Sequence, residues 1–192
     1  MSINKELSSY LNSFYQNDFL NPVVSLFSDL PIFFLPIFLV VMWIYYNYKK
    51  NKEGKINLLF IFYSVALVII ISYIIKNIYH VDRPMMSLQN AGNLVLSKIP
   101  DASFPSDHAG VSFSFLTAIF LLGYKKLSYL LFPIFILMNL SRIIGGVHWP
   151  FDILAGILNG VISAFIIYKL RFLNIFKKIN DFLLKIASFF KL

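Results

Sequence analysis

The sequence predicts an all-α fold: a polytopic membrane helical bundle of about five transmembrane helices, with amphipathic interfacial helices at the N- and C-termini. Three observations predict it. Of the 192 residues, 58% are hydrophobic and only 14% charged, whereas a soluble globular domain carries about 25% charged residues. Uncharged apolar stretches recur at close to the length a bilayer needs, about 17–25 residues. The 17 Lys and Arg outnumber the nine Asp and Glu, and they sit between the apolar stretches, as basic residues do in membrane proteins. A soluble enzyme, a disordered tail and a nucleic-acid-binding arm are excluded by this pattern. There is no Cys, so disulfides and thiolate metal sites do not arise. One domain over residues 1–192 is expected.

Each element has its own signal. Lys5, Glu6 and Asp18 interrupt the first 22 residues, which therefore lack the continuous apolar core of a cleaved signal peptide. Leu7, Tyr10, Leu11 and Phe14 recur there at helical spacing, predicting an interfacial helix within residues 1–22. The transmembrane core occupies residues 31–168. Its spans are 31–48, closed by Lys49, Lys50, Lys52 and Lys55; 56–75, closed by Lys76; 109–124, starting near Ser106 and closed by Lys125 and Lys126; 127–141, closed by Arg142; and 153–168, between Asp152 and Lys169. In the basic tail, 170–192, Phe172, Phe176, Ile179, Phe182, Leu183, Ile186 and Phe190 oppose Lys177, Lys178, Lys185 and Lys191. That predicts a helix on the membrane surface and not a sixth span.

Charge orients the bundle. With the 49–55 loop in the cytoplasm, twelve of the 17 basic residues lie inside, leaving Lys5, Lys76, Arg83, Lys98 and Arg142 outside. This is the orientation that positive-inside bias favours. The segments 76–105 and 142–152 then share the outer face.

These outer segments and the span ends beside them carry the chemistry: all three His, two of the three Arg and four of the nine acids. Lys76 and Arg83 can be a snorkelling Lys and a loop Arg. Together they can also form an anion clamp, a guanidinium fork plus a point charge. Ser106 and Asp107 open an apolar run after Pro105, an ordinary helix start. Such a start also offers free N–H groups and a positive dipole end to a phosphate, with His108 in the first turn as a candidate general acid. Asp152 can satisfy the start of the last span, or it can hydrogen-bond one nitrogen of His148 and leave the other nucleophilic. Arg142 adds a third cation, and Gly145 and Gly146 permit a tight turn between them. Two His, an orienting Asp, three cations and a helix N-terminus on one face are what phosphoryl chemistry requires. The acids Asp82, Asp101, Asp107 and Asp152 are dispersed, whereas hard metals want clustered carboxylates. No metal or other cofactor is therefore expected.

The residues Lys76…Arg83-Pro84, Pro105-Ser106-Asp107-His108 and Ser141-Arg142…His148…Asp152 give K-x6-RP, PS-x-H and SR-x5-H-x3-D. In that order they resemble the signature of the type 2 phosphatidic acid phosphatase family. The resemblance implies a membrane-embedded helical fold and metal-independent hydrolysis through a phosphohistidine. By position, His148 is the implied nucleophile, Asp152 its partner, and His108 the acid that then activates water. Lys76, Arg83, Ser106 and Arg142, with the backbone of Asp107, are the implied phosphate ligands. Asp107 replaces the commoner Gly, so an acid stands beside the phosphate and needs compensation. The PSDH form resembles the bacterial branch that dephosphorylates undecaprenyl diphosphate, which implies a bacterial cytoplasmic-membrane enzyme with an outward-facing site and a polyprenyl diphosphate substrate. Other lipid phosphates (phosphatidylglycerophosphate, phosphatidate, the 1-phosphate of lipid A), phosphoryl transfer to another lipid, and lipid or anion transport stay open on sequence grounds. The expected partners are the lipid substrate and the bilayer, with no nucleic acid and no readable oligomeric state.

Overall fold

The computed structural model describes residues 3–16, 19–84 and 102–189. Among them every regular element is helical: α1 (Ile3–Ser13), a 3-10 turn (Phe14–Gln16), α2 (Leu20–Tyr48), α3 (Lys52–Ile78), α4 (Asp107–Leu121), α5 (Lys125–Ile144), α6 (Pro150–Leu170) and α7 (Asn174–Phe189). Residues 85–101, with Lys98 and Asp101, and residues 190–192, with Phe190 and Lys191, lie outside the described part, as does Asp18.

The four later apolar stretches become α3 to α6, but α4 is a shorter apolar helix, so the described residues hold three helices long enough to cross a membrane, or four with α2, against the five expected. Helices α3, α5 and α6 are long and apolar enough to cross a membrane. The first span differs from the expectation in its start. Helix α2 begins at Leu20, eleven positions before residue 31, and is bent by 42° between two segments, Leu20–Asp29 and Ile32–Tyr48, which together are long and apolar enough to cross. Ser28 and Asp29, at the end of the first segment, face Arg142 inside the bundle. Residues 20–22 thus belong to α2, and the N-terminal helix is correspondingly shorter.

Helix α1 also turns its faces the other way from a simple surface helix. Tyr10 and Ile3 are exposed, while Ser8 and Asn12 are buried. Asn12 Nδ2 donates to the Ile144 carbonyl at 2.8 Å, and the Phe151 N–H donates to Asn4 Oδ1 at 3.2 Å. The polar side of α1 therefore satisfies backbone groups at the C-terminus of α5 and the N-terminus of α6, which helix ends leave unpaired.

Helix α4 lies at the centre, packed against α2, α3, α5 and α6. Its 15 residues span roughly 22 Å at 1.5 Å per residue, less than the ~30 Å hydrocarbon layer. Phe115, fully buried, stacks edge-on against Phe38, Phe34 and Phe135. Polar side chains cross-link the helices as they do in membranes: Asn159 Nδ2 donates to the Val68 carbonyl and to Ser72 Oγ, and Asn139 Nδ2 donates to Ser112 Oγ.

The α4–α6 crossing depends on glycine. A Cβ at Gly156 would overlap the Ser106 carbonyl and crowd Ala109, and one at Gly160 would overlap the Gly110 carbonyl and crowd the Ser114 nitrogen. These obstacles are mostly backbone, which cannot swing aside. Gly160→Val should therefore destabilise the protein by about 1–3 kcal/mol through overpacking. Ile162→Ala, on the exposed side of the same helix, should change stability far less. Denaturation midpoints in detergent test this, and equal midpoints for the two variants would refute it.

Candidate active site

The C-terminus of α3 and the N-termini of α4 and α6 meet at one end of the bundle, with the last turn of α5. Ser106 caps α4, its Oγ accepting the Ala109 N–H at 3.4 Å, and the Ser106 N–H donates to the Asp152 carbonyl at 3.0 Å. Beyond α5, Gly146 adopts φ +68°, a conformation glycine takes without a Cβ clash. The chain turns sharply there, so the N–H groups of Val147 and His148 return to the Arg142 carbonyl at 3.0 and 3.3 Å. Arg142 and His148 are thereby locked side by side. The bonds that tie in the segment after α3 include Ser103 N–H to the Val81 carbonyl at 2.7 Å, Trp149 Nε1–H to the Asp82 carbonyl at 2.8 Å, and Arg83 Nη1 to the Val147 carbonyl at 3.2 Å.

His148 is buried, and its Nδ1 lies 3.6 Å from Asp152 Oδ2, longer than a hydrogen bond. The direct His–Asp bond suggested by the sequence is replaced by a bridge. Ser103 Oγ donates to Asp152 Oδ2 at 2.5 Å and lies 3.3 Å from His148 Nδ1. With the serine proton committed to the carboxylate, Nδ1 meets the serine's lone pairs, which selects the Nδ1–H tautomer and leaves the pair of electrons on Nε2. Asp152 Oδ2 also accepts the Trp149 N–H at 2.8 Å, so the carboxylate fixes the start of α6 and the relay together.

Burial holds the His148 imidazole well below its ordinary pKa of 6.5, and the charges of Arg142, Arg83 and Lys76 act the same way, opposed by the Ser103 backbone. The neutral ring is the resting form. His108 Nε2 and Arg142 Nε are buried without a hydrogen-bond partner among the described residues. Buried donors and acceptors are nearly always paired, so two open ones in one cluster mark a place for a polar ligand.

The structure thus gathers Lys76, Arg83, Ser106, Asp107, His108, Arg142, His148 and Asp152 at one end. The Asp107 carboxylate has found compensation: Lys76 Nζ lies 2.5 Å from Asp107 Oδ2. His80, the third histidine, is exposed and sits 3.4 Å from Asp82, apart from the buried cluster. Two residues escaped the sequence reading. Ser103, fully buried, bears a side chain too common in loops to stand out, although it lies three positions before Ser106. Asp29 holds Arg142 at 3.0 Å; its signal was a carboxylate inside an otherwise apolar stretch.

Comparison with known proteins agrees with this arrangement. Residues 57–176 match the family model for the PAP2 superfamily. The bacitracin transport permease protein BcrC of Bacillus licheniformis is 35% identical over 161 residues, covering 81% of this chain and 75% of that one. The undecaprenyl-diphosphatase BcrC of Bacillus subtilis is 24% identical over 172 residues, covering 90% and 84%. Among crystal structures, LpxE of Aquifex aeolicus superposes with a TM-score of 0.70 at 24% identity, over 88% of this chain and 96% of that one. A transmembrane PAP2-type phosphatidylglycerolphosphate phosphatase of Bacillus subtilis gives 0.65 at 22% identity, over 89% and 86%. With a family match across most of the helical core, this chain belongs to the PAP2 superfamily and is a multi-pass membrane enzyme of the phosphoric ester hydrolase class.

Proposed function

We propose that the chain removes the terminal phosphate of undecaprenyl diphosphate at the extracytoplasmic face of a bacterial cytoplasmic membrane. The observation that carries the proposal is the buried cluster in which the Ser103–Asp152 relay holds a neutral His148 beside His108 and three cations. The substrate follows from the PSDH sequence and from the relatives, one of them named an undecaprenyl-diphosphatase. The outward face follows from charge. The opposite end of the bundle carries Lys49, Lys50, Lys52, Lys55, Lys125 and Lys126, which positive-inside bias keeps in the cytoplasm.

In this mechanism Arg142, Arg83, Lys76 and the N–H groups at the start of α4 neutralise and orient the terminal phosphate. His148 Nε2 attacks phosphorus, forming a P–N bond as the bond to the bridging oxygen breaks. His108 gives its proton to that oxygen, so undecaprenyl phosphate leaves. His108 then takes a proton from water, whose oxygen attacks the phosphorus; the P–N bond breaks, inorganic phosphate departs and His148 is restored. The isoprenoid tail stays among the lipids throughout.

Phosphate release by the detergent-purified protein should be unaffected by EDTA. It should fall at least roughly 10⁴-fold in His148→Ala and by about 10²–10⁴-fold in His108→Ala. Wild-type release from every lipid phosphate in a panel by His148→Ala would sink the mechanism, and preferential turnover of another lipid phosphate would move the substrate.

The buried relay has its own signature. Because His148 stays neutral below its ordinary value, the acid limb of kcat/KM should lie below pH 6.5. Ser103→Ala should lower kcat by roughly 10–100-fold, the usual loss when an orienting hydrogen bond is removed, with a smaller change in KM. An acid limb at or above pH 6.5, or a Ser103→Ala enzyme with wild-type kcat, would count against the relay.

A further inference from the structure

We propose that Asp29 is a positioning residue for catalysis, one that sets which edge of the Arg142 guanidinium meets the phosphate. The inference rests on the reading of Arg142 as a phosphate ligand.

Arg142 is among the largest fully buried side chains of the protein. Its Nη1 is surrounded by oxygens of one short stretch of α2: Asp29 Oδ1 at 3.0 Å, the Ser28 carbonyl at 3.3 Å and Ser28 Oγ at 3.4 Å. Nε is buried and has no partner among the described residues. A guanidinium is planar and rigid, with five donors fixed in a fork. Anchoring Nη1 from one direction therefore fixes the plane and leaves the Nε side as the edge offered to a ligand, the geometry of bidentate phosphate recognition.

The three anchoring groups come from a helix that carries none of the family motifs. Helix α2 packs against α5, and Asp29 is the only acid in its 29 residues. Ser28 and Asp29 are both buried. A carboxylate at membrane depth marks function when its partner is identifiable, and here the partner is a cation of the site. Asp29 also balances the Arg142 charge close to Arg83, a repulsion that the approaching phosphate would otherwise have to relieve alone.

The test reads phosphate binding directly, so it does not depend on which lipid is hydrolysed. Inorganic phosphate is titrated into the detergent-solubilised full chain, by calorimetry or by protection against thermal unfolding, for the wild type and for Asp29→Asn, Asp29→Glu and Ser28→Ala. The near-isosteric Asn keeps the fold accessible while removing the charge. Asp29→Asn should weaken phosphate about tenfold, as expected when one charge-assisted contact is lost; Asp29→Glu should recover part of that loss, and Ser28→Ala should cost less. In an Arg142→Lys background Asp29→Asn should add nothing further, because the two residues act as one unit. Wild-type phosphate affinity in a folded Asp29→Asn protein overturns the proposal, as does an equal loss with and without Arg142. Asp29-dependent phosphate binding without turnover of undecaprenyl diphosphate supports the positioning role and overturns the substrate reading instead.

Discussion

Charge inside a membrane is the constraint around which this fold is arranged. A lone ionised side chain at the bilayer centre costs about 2.5–3.5 kcal/mol on insertion scales, and a phosphate site needs several cations close together. The protein meets this with carboxylates drawn from separate helices. Asp107 of α4 meets Lys76 of α3, Asp29 of α2 meets Arg142 of α5, and Asp152 of α6 serves His148 through Ser103. Arg83 takes the Val147 carbonyl. Each pair is also a tie between segments, so the electrostatics of the site and the assembly of the bundle are one problem. In the buried Asp29–Arg142 pair, removing one partner strands the other, at about 3–5 kcal/mol.

Such pairing works only if the helix ends are held at fixed heights. The glycines of α6 do this for α4. Backbone contact at Gly156 and Gly160 leaves no room for α4 to slide, and the Ser106 N–H to Asp152 carbonyl bond sets the register at the end. Because α4 is short and surrounded by other helices, its N-terminus need not reach the membrane surface. The free N–H groups and His108 can then sit in a water-poor setting, where a helix dipole and a guanidinium act more strongly than in water.

Much of this was legible in the sequence. Uncharged runs between basic residues mark helices α3 to α6, and the spaced Lys, Arg, Ser, His and Asp name the motif residues of the site. What remained hidden were polar residues whose meaning lies in a partner far along the chain. Ser103 gains its role 49 positions from Asp152, and Asp29 gains its role 113 positions from Arg142. The first span was expected from residue 31, where the uncharged stretch begins, whereas α2 starts at Leu20 and includes Asp29. The buried Ser8 and Asn12 of α1 are a further case. Amphipathic spacing identifies two faces, but in a membrane the polar face is free to turn inward toward unpaired helix ends.

The charge balance of the resting site bears on how one pocket holds two histidines in opposite roles. Burial disfavours an imidazolium at His148, and the charges of Arg142, Arg83 and Lys76 act the same way. With its Nδ1 turned to the serine, the ring is neutral at rest, as the proposed attack by Nε2 requires. An arriving phosphate adds negative charge beside His108, against which a protonated imidazole is stable, and the open Nε2 of that residue is then a donor with something to donate to. On the proposed mechanism the substrate would complete its own general acid, and the Asp107 carboxylate, paired with Lys76, would yield that cation to the more highly charged phosphate.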